Sequence, residues 1–222
     1  AERLGWPKGA RVIIVHEDDA GMSRGQNLGA IQALEYGVLT SVSTMMPCAW
    51  VPEMAGYLKE HPNVDNGLHL TLTAEWHNYR WGPLAGKAAV PGLVDPDGCL
   101  WSNGISVVTH ASAEEVEKEI RAQIDRAETL GIPITHLDTH MGTLYAKPEY
   151  TEVYVKVGIE KQIPIMIMGG HMQFSAEDEP DAVKQLGVTQ LAEKVWAGGL
   201  PVLDDLLNRT YGWKTFAEKK QN

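Results

Sequence analysis

The sequence predicts an α/β fold of mostly parallel strands, a sheet that is either open or closed into a (β/α) barrel. Three observations predict it. Short apolar, β-branched runs alternate with segments of helical period. Capping residues, Gly and Pro punctuate the junctions. Polar and ionisable residues gather at the ends of the apolar runs, where α/β folds place their function.

The elements follow in order. Val12–Val15 is a continuous apolar run, which suits a strand buried on both faces of a parallel sheet. It leads into His16-Glu17-Asp18-Asp19 and a turn at Ala20-Gly21. Ser23 with Gln26 forms a capping-box pattern, Leu28, Ile31 and Leu34 give the next helix its stripe, and Gly37 can end it. Residues 38–46 read as a second strand, and Pro52 opens a helix to about Glu60. Residues 67–73 (GLHLTLT) alternate strictly and read as a third strand. Residues 74–110 are rich in Gly, Pro and Trp and read as a long functional loop.

Ser112 and Glu115 form a second capping box, opening a helix with Val116, Ile120 and Ile124 on one face and Gly131 at its end. Residues 132–140 read as a fourth strand, Pro148 to about Gln162 as a helix, and residues 163–168 as a fifth strand. A polar acidic loop, a helix near 189–197, a short strand near 200–203 and a basic tail complete the chain. No internal repeat or linker divides it, so one domain over residues 1–222 is expected.

Composition narrows the function. Lys plus Arg number 19 and Asp plus Glu 29, a formal charge of −10 with pI near 5.2, so nucleic acid is a poor partner. No apolar stretch approaches the ~20 residues of a membrane span. Cys48 and Cys99 make no metal pattern and are two thiols or one disulfide. At 44% hydrophobic and 22% charged a soluble protein is expected, either cytoplasmic or, since the sequence starts at Ala1 and not Met, exported after loss of a leader. Oligomeric state is left open, with a homodimer compatible.

The polar residues then point to chemistry. His136, Asp138 and His140 share one face of the fourth strand, and His69 lies in the third. With the acids after the first strand, three segments bring carboxylate and imidazole to one rim. Each feature alone has an ordinary explanation: Asp18-Asp19 as a solvated turn, His69 as a hydrogen-bonded core histidine, His-x-Asp-x-His as a structural pair. Their coincidence at strand ends favours one divalent ion, held by a carboxylate and two imidazoles with positions left open. For both aspartates to serve one site, the strand must end at them, since strand neighbours point opposite ways. In the loop after the third strand, Tyr79, Arg80 and Trp81 suit a substrate rim, whereas Trp76 suits a buried anchor.

The stretches HEDDAGMSRGQN, Gly67-Leu68-His69-Leu70-Thr71 and Thr135-His136-Leu137-Asp138-Thr139-His140 resemble the YdjC-like carbohydrate deacetylases, the ChbG/HpnK family. The resemblance covers roughly the first 145 residues. It implies a barrel-like fold, a divalent metal (Mg or Zn), and removal of an N-acetyl group from an amino sugar or short oligosaccharide. It also implies Asp18 as general base, Asp19, His69 and His140 as metal ligands, and His136 and Asp138 as the residues that orient them. Two departures stand out. The last motif continues Met141-Gly142-Thr143 in place of further histidines, and no late His-Pro follows. The donor of a proton to the leaving amine is therefore unassigned, and His171 is the late candidate at the substrate. The alternatives are another metal-dependent amide or ester hydrolase on this fold, or a non-catalytic carbohydrate-binding relative.

Overall fold

Four short parallel strands, β1 (His16–Ala20), β2 (Ser41–Thr44), β3 (Asn66–Leu70) and β4 (Leu137–Thr139), lie in the order β1-β2-β3-β4. They are seen in a computed structural model that describes residues 1–178 and 188–208. Among those residues the sheet is all parallel and does not close into a barrel. Between the strands run α1 (Arg24–Glu35), α2 (Val51–Glu60), α3 (Gly104–His110) and α4 (Ala113–Leu130). Beyond β4 come α5 (Pro148–Lys161), α6 (Gln173–Asp178) and α7 (Val188–Ala197). None of these helices is long and apolar enough to cross a membrane.

The chain forms two compact units, Ala1–Met166 with Gly199–Pro201, and Ile167–Gly198 with the residues from Val202 on. In the first, Val42, Leu68, Leu70 and Leu137 are fully buried beside Ile120 and Ile124 of α4 and Tyr150 and Tyr154 of α5. The Tyr154 hydroxyl donates to the Leu137 carbonyl at 2.5 Å and accepts the Met166 N–H at 2.9 Å. One side chain thus fixes residues 163–166 along β4, where Ile165 bridges Leu137 in parallel. The expected fifth strand is reduced to that bridge and one between Met168 and Leu203 in the second unit. The basic tail and residues 179–187 of the acidic loop lie outside the described residues.

Several expectations need correction. Val12–Val15 is not the first strand; its side chains are 42–77% exposed, and the strand begins at His16. The run lies before the paired part of edge strand β1, held through the Val15 carbonyl, which accepts the Thr40 N–H. Apolar sequence marks burial only where both faces are covered. The long loop contains a helix of its own, α3, capped by Asn103, whose side chain accepts the Ser106 N–H. Ser23 caps α1 by accepting the Gln26 N–H, but the Gln26 side chain turns to Glu17 and the Asp18 carbonyl and does not complete the box. At α4 the box of Ser112 and Glu115 is complete. Cys48 and Cys99 are free thiols, and burial pushes the Cys48 thiol up.

Gly67 in β3 is fixed by contact. A Cβ there would stand 2.4 Å from His136 Nε2, closer than such atoms approach. Gly67→Ala should destabilise the fold by about 1–3 kcal/mol through overpacking. Urea unfolding checks this, and an unchanged midpoint would mean that the imidazole moves aside freely.

Candidate metal centre

The C-terminal ends of β1, β3 and β4 carry Asp18 and Asp19, His69, and Asp138 with His140 just beyond. Asp19 has φ 63°, a left-handed conformation that Asp tolerates better than most residues. The β1–β2 register slips there: β1 advances three residues from Glu17 to Ala20 while β2 advances two, from Val42 to Thr44. This is a β-bulge, which re-aims a side chain without ending the strand. It replaces the strand end expected at the acid pair. As a result Asp18 Oδ2 and Asp19 Oδ1 both face His69 Nε2, at 3.7 and 3.4 Å.

The following turn is clamped. Gly21 has φ 84°, and its N–H donates to the buried Asn27 side chain, which in turn donates to the Trp50 carbonyl and Glu53. Asn27 therefore ties the acid turn to the start of α2.

Asp19 Oδ1, His69 and His140 offer three donor atoms within 4.8 Å of one another. His140 Nδ1 lies 3.1 Å from Asp19 Oδ1. Neither imidazole makes an aligned hydrogen bond to that oxygen, which is buried with no hydrogen-bond partner. A buried carboxylate oxygen flanked by two imidazoles fits a cation among the three.

Each imidazole has a carboxylate behind it. His69 Nδ1 lies 2.8 Å from Asp138 Oδ1, and His140 Nε2 lies 3.1 Å from Glu75 Oε2. That arrangement fixes ring orientation and leaves the opposite nitrogen facing the site. Glu75 escaped the sequence reading because only the path of the loop after β3 brings it to His140. His16 escaped likewise: its Nε2 lies 3.0 Å from Asp138 Oδ2, which also accepts the Ser43 hydroxyl at 2.8 Å.

The charges agree with this geometry. Burial alone would raise the Asp138 carboxyl; the charge of His69 and hydrogen bonds from His16 and His69 outweigh it and hold the carboxyl far below its usual range. Burial would likewise raise Asp19, but His140 and His69 lower it. Burial pulls the His140 imidazolium down, yet Asp19 and Glu75 push it up to about 9. A metal must displace that proton. His69 is raised as well, so apparent affinity should rise by at least roughly tenfold per pH unit below about 9, then level off. In the metal-free protein the sign is opposite. With a folded value above the ordinary 6.5, His140 supports stability fully below about pH 6.5 and loses that support as pH rises through 9. Metal titrations at pH 6, 7 and 8 test the first statement; a flat affinity would mean His140 carries no proton to displace.

The remaining expected residues are placed as follows. His136 lies beside His16, with ring centroids 5.3 Å apart, and its Nδ1 is 2.9 Å from Thr135 Oγ1. The Tyr79 hydroxyl donates to the Met22 carbonyl at 2.5 Å. Arg80 pairs with Asp95 at 2.6 Å and donates to the carbonyls of Ala74 and Leu100. Trp81 is 5% exposed and its indole N–H donates to the Thr73 carbonyl, whereas Trp76 is 52% exposed. The anchor and the open aromatic face are thus exchanged relative to expectation, because the anchoring indole is the one whose N–H meets a buried carbonyl. His171 belongs to the second unit, where its Nδ1 is 3.0 Å from Asp205.

Comparison with known proteins gives concordant results. A family model described as YdjC-like protein matches residues 12–220. A Thermus thermophilus carbohydrate deacetylase is 40% identical over 156 residues, 70% of this chain and 53% of that protein. A Brevibacillus brevis carbohydrate deacetylase is 34% identical over 153 residues, 69% and 58%. A Yersinia enterocolitica chitooligosaccharide deacetylase is 30% identical over 161 residues, 71% and 59%. The chain thus matches little more than half the length of these relatives. A crystal structure of an Enterococcus faecalis protein assigned to cellobiose-phosphate cleavage superposes with TM-score 0.74 at 23% identity, covering 94% of this chain and 72% of that one. That likeness concerns the fold, a mixed α/β architecture of barrel-like type.

Proposed function

The chain belongs to the YdjC-like family, and on that footing we propose that it is a metal-dependent hydrolase removing N-acetyl groups from an amino sugar or short oligosaccharide. The observation that carries this is the orphaned, buried Asp19 Oδ1 set between His69 and His140, each backed by a carboxylate. The relatives named as carbohydrate and chitooligosaccharide deacetylases supply the substrate class.

In this reading Asp19, His69 and His140 hold the ion. Asp138 orients His69 and Glu75 orients His140, while His136 offers a donor atom within 4.8 Å of one on Asp138. Two imidazoles and one carboxylate suit Zn²⁺ or a similar borderline ion better than Mg²⁺, which favours oxygen donors. When bound, such an ion polarises the amide carbonyl and makes water more acidic.

Asp18 is the base. Its carboxylate is 45% exposed, so water and substrate reach it, and it is 3.7 Å from His69 Nε2. It accepts a proton from the attacking water and returns it to the nitrogen as the C–N bond breaks, giving acetate and the free amine. The exposed Trp76 beside Glu75 offers an aromatic face to a sugar ring. Tyr79, Arg80 and Trp81 shape that rim by fixing the loop.

The test is metal analysis combined with acetate release from N-acetylglucosamine oligomers before and after chelation. Chelator-sensitive acetate release restored by metal is expected. Metal binding with no acetate from any oligomer, at any pH, would reject the deacetylase reading.

A further inference from the structure

The inward face of the sheet remains polar below the centre just described. His16 at the start of β1, His136 just before β4 and Asp138 within β4 offer a second set of three donor atoms within 4.8 Å of one another. We propose that this set is a second cation site, in which His16 Nε2, His136 Nε2 and Asp138 Oδ2 bind a divalent ion of the zinc class.

Three features argue for it. First, both imidazoles have the outer partner that metal-binding histidines require. His16 Nδ1 lies 3.0 Å from the Ser41 hydroxyl, and His136 Nδ1 lies 2.9 Å from the Thr135 hydroxyl and 3.7 Å from Asp65 Oδ1. An Nδ1–H donated to these oxygens leaves each Nε2 with its lone pair available. Second, His16 Nε2 is 3.0 Å from Asp138 Oδ2, and His136 offers a ring nitrogen within 4.8 Å of both residues' donor atoms. In the metal-free protein the His16 Nε2–H donates to that Asp138 oxygen; the tautomer with its proton on Nδ1 frees the lone pair, and a cation then replaces the proton between the two atoms. The Ser43 hydroxyl, 2.8 Å from the same oxygen and 3.1 Å from His16 Nε2, can donate to only one of them. Third, the space is kept clear by sequence. Gly67 lies under the His136 ring, and a Cβ there would come within 2.4–2.6 Å of three ring atoms.

The donor chemistry selects the ion. Two imidazoles and one carboxylate are a zinc-type set at roughly 2.0–2.2 Å from the metal, with a fourth position for water. His16 is partly open, with 26% of its side chain exposed, which gives an entry path. Asp138 belongs to both sites: Oδ1 orients His69 and Oδ2 binds the second ion. Occupation of the lower site therefore stiffens the carboxylate that holds a ligand of the upper one.

The test is a metal count on the whole chain, stripped with chelator and dialysed against Zn²⁺. Two equivalents per chain are expected for the wild type. His136→Asn and His16→Asn should each lose one equivalent and keep the other, and Asp19→Asn should lose the other. Repeating the titration with Co²⁺ should show two sets of visible absorption bands, one absent from each class of variant. A wild-type count of one, lost in Asp19→Asn and unaffected by His136→Asn, would overturn the second site and leave the proposed function standing. A count of two that neither His16→Asn nor His136→Asn reduces would overturn it as well, and a count of zero would overturn both proposals.

Discussion

Asp19→Asn is expected to remove metal from the upper centre and turnover together. Asn keeps the volume of Asp and also tolerates the left-handed backbone at φ 63°, so the β-bulge and the turn at Gly21 should survive. What is lost is the charge on the oxygen lying between His69 and His140. Its removal should weaken metal binding by well over ~100-fold, since even an outer partner of a ligand is worth 10–100-fold. Loss of an ion worth several kcal/mol in the transition state should cut kcat/KM by about 10³-fold or more. The metal-free variant should unfold at a lower temperature near neutral pH, because the Asp19 charge that supports the His140 imidazolium 3.1 Å away is gone. Equilibrium dialysis and acetate release measured on one preparation decide the matter. A variant that binds metal like the wild type would remove Asp19 from the ligand set.

Asp18→Asn is expected to separate binding from chemistry. Asp18 is farther from His69 than Asp19 is, and far more open than the buried residues around it. The variant should therefore retain its metal while losing the proton acceptor. General base catalysis contributes typically 10²–10⁴-fold, and kcat should fall by about that much with KM little changed. Near-normal kcat in Asp18→Asn would assign the base to another group, and loss of metal would make Asp18 a ligand.

Part of this protein was legible in its sequence because the signal is local. Capping residues and helical stripes located α1, α2, α4 and α5 to within a residue or two. Alternation put His136, Asp138 and His140 on one face of their strand, and parallel pairing sets Asp138 directly opposite His69. Strand extents were less legible. A strand is defined by its neighbours, and the apolar run 12–15 has too little of a neighbour to become one.

The sequence by itself determined the α/β class, the polar rim and the identity of the residues that meet there. Those depend on periodicity, capping and residue chemistry, each read over a few positions. Tertiary structure decided what those residues do to one another. The bulge at Asp19 is set by the register between two strands, and Glu75 reaches His140 because Arg80, Trp81 and Tyr79 fold the loop back on itself. Glu119 and Gln123 of α4 are polar residues that no sequence pattern singled out. Both are buried: Glu119 accepts the N–H groups of Leu84 and Ala85, and Gln123 pairs with the Thr71 backbone. Contacts between residues 30–120 positions apart depend on how the chain closes its loops and satisfies buried polar groups, and no local pattern encodes them.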